Sequence, residues 1–231
     1  MKPVRVLAID TSRGACSACV YDGALRAPLA SESLAMTRGH AEALAPMLKR
    51  VLDEAGGPEV VTKIAVAVGP GSFTGLRIGI ATARAMALTL GVPIVGVSTL
   101  IAYCGPMLDE PGSGVIAAAV DASHGHIYFQ LIDSKAKPIF SARVVSLRDA
   151  VRAIGGSPAR VVGDAATLLA EEARRAGVDV DASGASAYPD ILAIARIGLA
   201  ADPAAWPARP LYIKAPDAQP SRDEGVARVE P

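Results

Sequence analysis

Apolar residues come in short blocks at the start of the chain, and a turn residue closes each block. One block covers residues 4–9 and stops at Asp10; a second covers 15–21 and stops at Asp22-Gly23; a third covers 25–34. Blocks of this length, rich in Val, Ile, Leu and Ala and joined by tight turns, predict three consecutive strands in an antiparallel meander. The period then lengthens. Leu44, Leu48, Val51 and Ala55 recur at helical spacing after Thr37-Arg38-Gly39-His40, and Gly56-Gly57 follows. That pattern predicts a helix stopped on glycine. Pro46 inside it predicts a kink or a later effective start.

A strand over 64–68, a helix with one face of small residues and a strand over 93–97 follow. The order βββαβαβ implies a mixed sheet flanked by helices. The turn-rich stretch 106–114 is the expected subdomain boundary. Beyond it, 115–120, 126–131 and 139–145 read as three further strands. A helix over 147–153, a strand over 160–162 and helices over 165–176 and 190–200 complete a smaller α/β unit. The expected organisation is therefore 1–105, 106–214 and a Pro- and charge-rich tail at 215–231 with the composition of unfolded chain. Two successive units of three strands plus helices suggest a structural duplication, although no sequence period accompanies it.

The most distinctive segment is Gly69-Pro70-Gly71-Ser72-Phe73-Thr74-Gly75, between the strand 64–68 and the small-faced helix. It is not a Walker phosphate loop, because no Lys follows its glycines. It is not a dinucleotide fingerprint, because Thr74 stands where the third glycine belongs and no acidic residue lies in 90–101. Nor is it a nucleophile elbow, since Pro70 and Thr74 flank Ser72. Gly75, Gly79, Ala83 and Ala87 recur every four residues, one stripe of a helix that another backbone can approach closely. Two readings stand side by side: the stripe packs on the chain's own sheet, or it forms a partner interface together with His40 and Leu44.

Composition narrows the function classes. The 231 residues are 51% hydrophobic and only 4% aromatic, with a net charge of +0. A chain that grips nucleic acid unaided carries a basic patch and often stacking aromatics, so nucleic-acid work here is expected to run through a partner. Three cysteines (Cys16, Cys19 and Cys104) and a start that leads straight into a strand point to a reducing, cytoplasmic setting without signal peptide or membrane span.

Few residues offer chemistry. Asp10-Thr11-Ser12 closes the first strand; an acid at a strand end, with hydroxyls and free amides behind it, suits a phosphate and a Mg²⁺-bound water. These three are the candidate nucleotide-binding residues, and the plain alternative is an ordinary turn. Cys16 and Cys19, three apart on a strand, point to opposite faces and read as core thiols. His124 and His126 share a strand face near Asp121, yet beside Gly125 an exposed turn is the simpler reading. His40 near Glu42 reads as a surface residue or a contact to a partner helix. No Ser/His/Asp set or carboxylate pair stands out. The catalytic and metal sets are empty, and no cofactor is required by these residues.

Three segments carry a resemblance: Leu7-Ala8-Ile9-Asp10-Thr11-Ser12, Gly69 through Gly79 (GPGSFTGLRIG) and Gly91 through Leu100 (GVPIVGVSTL). Together they closely resemble the TsaB (YeaZ) family of bacterial proteins. The resemblance implies an α/β fold of actin-like ATPase type, shared with sugar kinases and Hsp70, in two subdomains that are each a mixed sheet flanked by helices. It further implies a role in making threonylcarbamoyl-adenosine beside the tRNA anticodon. In that role a scaffold subunit dimerises with the transferase TsaD, assisted by the ATPase TsaE, or forms a homodimer without its partner. The helices beginning near His40 and Ser72 would pair with the partner's, and ATP or ADP with Mg would belong to the subunit junction or to the partner. The related catalytic subunits bind metal through a His-x-x-x-His pair after the strand at 93–97. This chain has Thr99 and Tyr103 there, which argues against a transferase or a metalloprotease. The family's usual Arg and Glu in the segment 121–128 are replaced by Ser123 and His126. The rival reading is a free-standing actin-fold enzyme, an ATPase or kinase, using ATP at Asp10.

Overall fold

Two five-stranded sheets of one design organise the computed structural model, which describes residues 4–108, 110 and 114–213. The first contains β1 (Arg5–Asp10), β2 (Ala15–Asp22), β3 (Ala27–Ala35), β4 (Lys63–Gly69) and β5 (Ile94–Ser98), in the order β3-β2-β1-β4-β5. The second contains β6 (Val115–Asp121), β7 (His126–Ile132), β8 (Pro138–Ser146), β9 (Ala159–Gly163) and β10 (Val180–Ala185), in the order β10-β9-β6-β7-β8. In each sheet the first three strands pair antiparallel and the last two add in parallel on the other side of the first. Helices α1 (His40–Ala55), α2 (Phe73–Leu90) and α3 (Thr99–Leu108) fall in the first series. Helices α4 (Leu147–Ile154), α5 (Ala166–Arg175) and α6 (Ile191–Ala200) take the same places in the second. The doubled βββαβαβα unit is the actin-like architecture that the resemblance implies.

Alternation along the strands explains the layers. Leu7, Ile9, Ile64 and Val66 point to one face, where α1 contributes Leu44, Met47 and Val51 and α2 contributes Leu76, Ile80 and Ala83. Val6, Ala8, Ala65 and Ala67 point to the other face and meet Ile191, Ile194 and Ala195 of α6. The second sheet packs Ala117, Ala119, Phe129 and Val161 on α4 and α5, and Ile116, Ala118 and Val120 on Leu100, Tyr103 and Cys104 of α3. Helices α3 and α6 thus lie between the sheets and touch each other. Each fully buried Leu or Ile contributes roughly 1.5–3 kcal/mol.

Four features depart from the sequence pattern. Helix α6, expected in the second unit, packs on the first sheet. It is apolar nearly all round, so it has to be covered from both sides, and the space between the sheets provides that. Lys63 closes its end by donating from Nζ to the carbonyls of Leu199 (3.2 Å) and Ala201 (2.5 Å). The chain after α6 stays with the first sheet as well: Gly96 N–H donates to Trp206 O (2.9 Å) and Leu211 N–H to Val68 O (2.7 Å). Helix α3 and strand β10 were not predicted. The first is apolar without a clean period and holds Gly105 and Pro106; the second has the weak strand sequence VDASGA and exists by pairing with β9. Helix α1 begins at His40, so Pro46 lies inside it, on the exposed side, and does not set its start. The tail at 215–231 lies outside the described residues.

Candidate functional site

The carboxyl end of β1 carries the three candidate nucleotide-binding residues. Asp10 Oδ1 accepts the N–H of Ser12 at 2.7 Å, which closes a tight turn. Thr11 Oγ1 donates to the carbonyl of Gly75 at 2.7 Å, and Ser12 O accepts the N–H of Ser72 at 2.8 Å. Ser72 caps α2, its hydroxyl accepting from Gly75 N–H at 3.2 Å. The loop over residues 69–75 is therefore pressed onto the loop after β1. Glycine is required for this: a Cβ at Gly75 would run into Thr11 O, and one at Gly79 into Thr11 Oγ1.

The small-residue stripe is thus used inside the chain. Gly75, Gly79, Ala83 (0% exposed) and Ala87 (7%) are buried, as are Leu44 (1%) and His40 (7%). Of the two expected uses of these residues, packing inside the chain is the one these contacts carry. Small residues permit close approach, and the backbone that approaches is the chain's own residue 11. His40 sits 3.3 Å from the Arg13 carbonyl through Nε2. What α1 and α2 present outward is a different set: Ala41, Ala45 and Pro46 with Glu42 and Lys49 on α1, and Ala81, Ala85 and Leu88 (85% exposed) with Arg77 and Arg84 on α2.

Across the carboxyl ends of β1, β6 and β9 lies a cluster that the sequence reading missed. Arg13 donates from Nε (2.6 Å) and from Nη2 to one carboxylate oxygen of Asp164, and its Nη1 reaches Asp121 O at 3.4 Å. The other Asp164 oxygen accepts the Asp121 N–H at 2.8 Å. Gly163, at φ +108°, aims Asp164 into this position; a Cβ there would strike Ala119 O. A strand-end glycine followed by an acid was the only available signal. Thr99 and Tyr103 stand one turn apart on α3, both buried, and Tyr103 lies in the fields of Asp164, Arg13 and Asp10. Burial drives the Tyr103 phenol well above its ordinary range, with the two carboxylates adding to the effect. The hydroxyls of Ser12, Ser17, Thr99 and Tyr103 are buried without a hydrogen-bond partner among the described residues.

This arrangement does not suit a Mg-nucleotide. Asp10 is 1% exposed, which leaves a hydrated cation no surface to approach, and burial raises its pKa. The Ser12 amide and the Thr11 hydroxyl are already engaged, and Arg13 is committed to Asp164. Thr99 and Tyr103 offer neutral hydroxyls, poor ligands for a divalent transition metal. Among the described residues no group of three or more His, Cys, Asp or Glu has metal-holding geometry. His124 and His126 lie exposed at the β6–β7 turn, the second held by its Nδ1 at 3.0 Å from His124 O. Ser123 and His124 adopt left-handed φ of 64° and 55° there. The three cysteines are free and buried; desolvation lifts Cys16 to about 11 and Cys19 and Cys104 to about 12, as expected of inert core thiols. No helix among the described residues is long and apolar enough to cross a membrane.

Comparison with known proteins bears on the family and the fold. The family described as TsaD, tRNA N6-adenosine threonylcarbamoyltransferase, matches residues 33–178. The tRNA threonylcarbamoyladenosine biosynthesis protein TsaB of Escherichia coli is 36% identical over 128 residues, 54% of this chain and 54% of that protein. The TsaB protein of Haemophilus influenzae is 33% identical over 143 residues, 61% and 59% of the two chains. The matched stretch thus spans little more than half the length of these relatives. The solved structure of YeaZ from Pseudomonas aeruginosa superposes with a TM-score of 0.71 at 29% identity, covering 90% of this chain and 99% of that one. With a family match over residues 33–178 and a fold shared with YeaZ along nine-tenths of its length, the chain belongs to the TsaB (YeaZ) family.

Proposed function

We propose that the protein is a noncatalytic partner subunit for threonylcarbamoylation of tRNA adenosine, acting in the cytoplasm by docking a TsaD-type transferase. The observation that carries this reading is the outer face of α1 and α2. Both helices pack on one side of the first sheet, and their outward surfaces mix Ala41, Ala45, Pro46, Ala81, Ala85 and Leu88 with charged residues that include Glu42, Lys49, Arg77 and Arg84. The small side chains let a second helix pair approach, Leu88 supplies an apolar anchor for it, and the charges around it form a polar rim. The buried Asp10 turn supplies no catalytic group, and a net charge of +0 leaves tRNA contact to the assembled complex. In this reading nucleotide and Mg belong to the partner or to the subunit junction. TsaE acts as an accessory, and a homodimer is the resting alternative of the same helix face. The free-standing ATPase or kinase is the weaker reading, because the Asp10 loop is closed by its own hydrogen bonds.

The test is light scattering on a gel-filtration column, with the chain alone and then mixed with TsaD from the same organism. Wild type is expected to form a stable mixed complex. Leu88→Asp is expected to weaken it at least roughly tenfold while leaving the fold intact. Leu168→Asp, on the exposed side of α5, serves as the control and should bind normally. Two unmixed peaks for the wild type, with or without nucleotide, would defeat the proposal.

A further inference from the structure

Thr11, Ser12 and Arg13 hold both helix starts of the first half. Thr11 bonds Gly75 and Ser12 bonds Ser72, both at the start of α2, while the Arg13 carbonyl meets His40 at the start of α1. Of these side chains, Arg13 leaves its own half. It crosses to Asp164 after β9 and to the carbonyl of Asp121 at the end of β6. Both partners of the pair are largely withdrawn from solvent, at 18% and 15% exposed, so water and salt screen the attraction only in part. The titratable groups around it are Asp10 and Asp121 from the strand ends, Tyr103 from α3 and His40 from α1. Beside the pair, Gly14 lies against Ala187 after β10, and α3 packs its apolar residues on the second sheet. Apolar packing is non-directional, whereas a guanidinium donating twice to one carboxylate fixes an orientation.

We propose that the Arg13–Asp164 pair is an inter-half latch: closed, it holds the two sheets together across the ends of β1, β6 and β9. Through the backbone of residues 11–13 it also sets the order of the first turns of α1 and α2. Opening the latch frees the loop at the ion pair that ties it to the second half, and both helix starts loosen together. The inference goes beyond the docking function and is independent of it, since the device operates in the isolated chain.

Hydrogen exchange measured by mass spectrometry on the full chain tests it. Asp164→Asn keeps an oxygen for the Asp121 N–H and removes the charge that holds Arg13. Exchange in residues 11–14, 39–43 and 72–76 should rise by at least roughly tenfold, while α4 stays protected. The swapped pair, Arg13→Glu with Asp164→Arg, should restore protection. Glu110→Gln is the control: it weakens another ion pair, to Arg160, at the far end of β9 and away from the loop. A rise confined to residues 121–126 and 164–166 overturns the proposal, as does an equal rise at the helix starts in Glu110→Gln. If Asp164→Asn does not fold, Arg13→Gln reads the latch from its other side. Failure of both to fold overturns it too, because a latch opens without unfolding what it joins.

Discussion

The two halves repeat one plan down to single residues, and they part where the helices meet the strand ends. Asp10 ends β1 and Asp121 ends β6, and each carboxylate accepts the N–H two residues on, at 2.7 Å and 3.0 Å. Gly69 ends β4 at φ +109°, and Gly163 ends β9 at φ +108°. Leu76 and Leu169 are both the fourth residue of the helix that follows, and both are buried. Beyond these positions the halves diverge. Helix α2 has 18 residues and brings Gly75 and Gly79 down onto Thr11, so the Asp10 turn is sealed. Helix α5 has 10 residues and no glycine, and the Asp121 turn stays exposed. One strand-end geometry thus yields a structural plug in one half and an open turn in the other. The side-chain size on the adjacent helix makes the difference, and the acid itself does not.

The largest expected effect probes how far the halves behave as one body. Leu76→Ala and Leu169→Ala each remove a buried side chain at the matched position and should cost about 3 kcal/mol. Because α3 and α6 lie between the sheets, both variants should lower a single urea transition. Trp206 fluorescence, which reports the first half, should track circular dichroism in each. Separate transitions would mean that the halves fold independently.

A smaller effect isolates the plug. Gly79→Ala forces a methyl against Thr11 Oγ1 and should destabilise by about 2 kcal/mol. In a Thr11→Ala background the same change should cost less than about 0.5 kcal/mol, since the obstructing oxygen is gone. Equal costs in both backgrounds would remove Thr11 as the reason for the glycine.

The smallest effect concerns the acids. Burial raises the Asp10 pKa above its unfolded value, so the folded state binds more protons through that interval, and stability falls as pH rises through it. Asp10→Asn keeps the acceptor for Ser12 and loses this slope. It should match or exceed wild-type stability at neutral pH, with the advantage shrinking as pH falls toward the unfolded carboxylate range and gone below it. Asp121→Asn, at an exposed turn, keeps the acceptor for Ser123 N–H and should stay within about 0.5 kcal/mol of wild type at neutral pH. Melting curves at several pH values distinguish the two.

Much of the architecture was readable along the chain because it rests on local period. Nine of the ten strands and five of the six helices announced themselves through blocks of apolar residues, helical spacing and stopping glycines. The exceptions have physical causes. Helix α3 carries apolar residues on every side, so no period marks it, and β10 owes its strand to β9. The candidate site was legible in a narrower sense. Asp10, Thr11 and Ser12 were found as a strand-end turn, and the turn is real, but its groups are engaged inside the chain. Arg13 and Asp164 are separated by |i−j| = 151, and nothing in either segment refers to the other.

Local pattern, then, was enough for the element order, the doubled unit and the glycines that let α2 descend, because each of these depends on residues within one or two turns of one another. The pairing of surfaces was not. That α6 crosses to the first sheet, that the small stripe of α2 meets Thr11 and leaves Leu88 outward, and that Arg13 ties the halves all depend on which apolar faces remain uncovered once the sheets have formed. Burial is a property of the whole packed chain: a stripe of Gly and Ala permits close approach, and the neighbour that takes it up is decided by the space left between the layers.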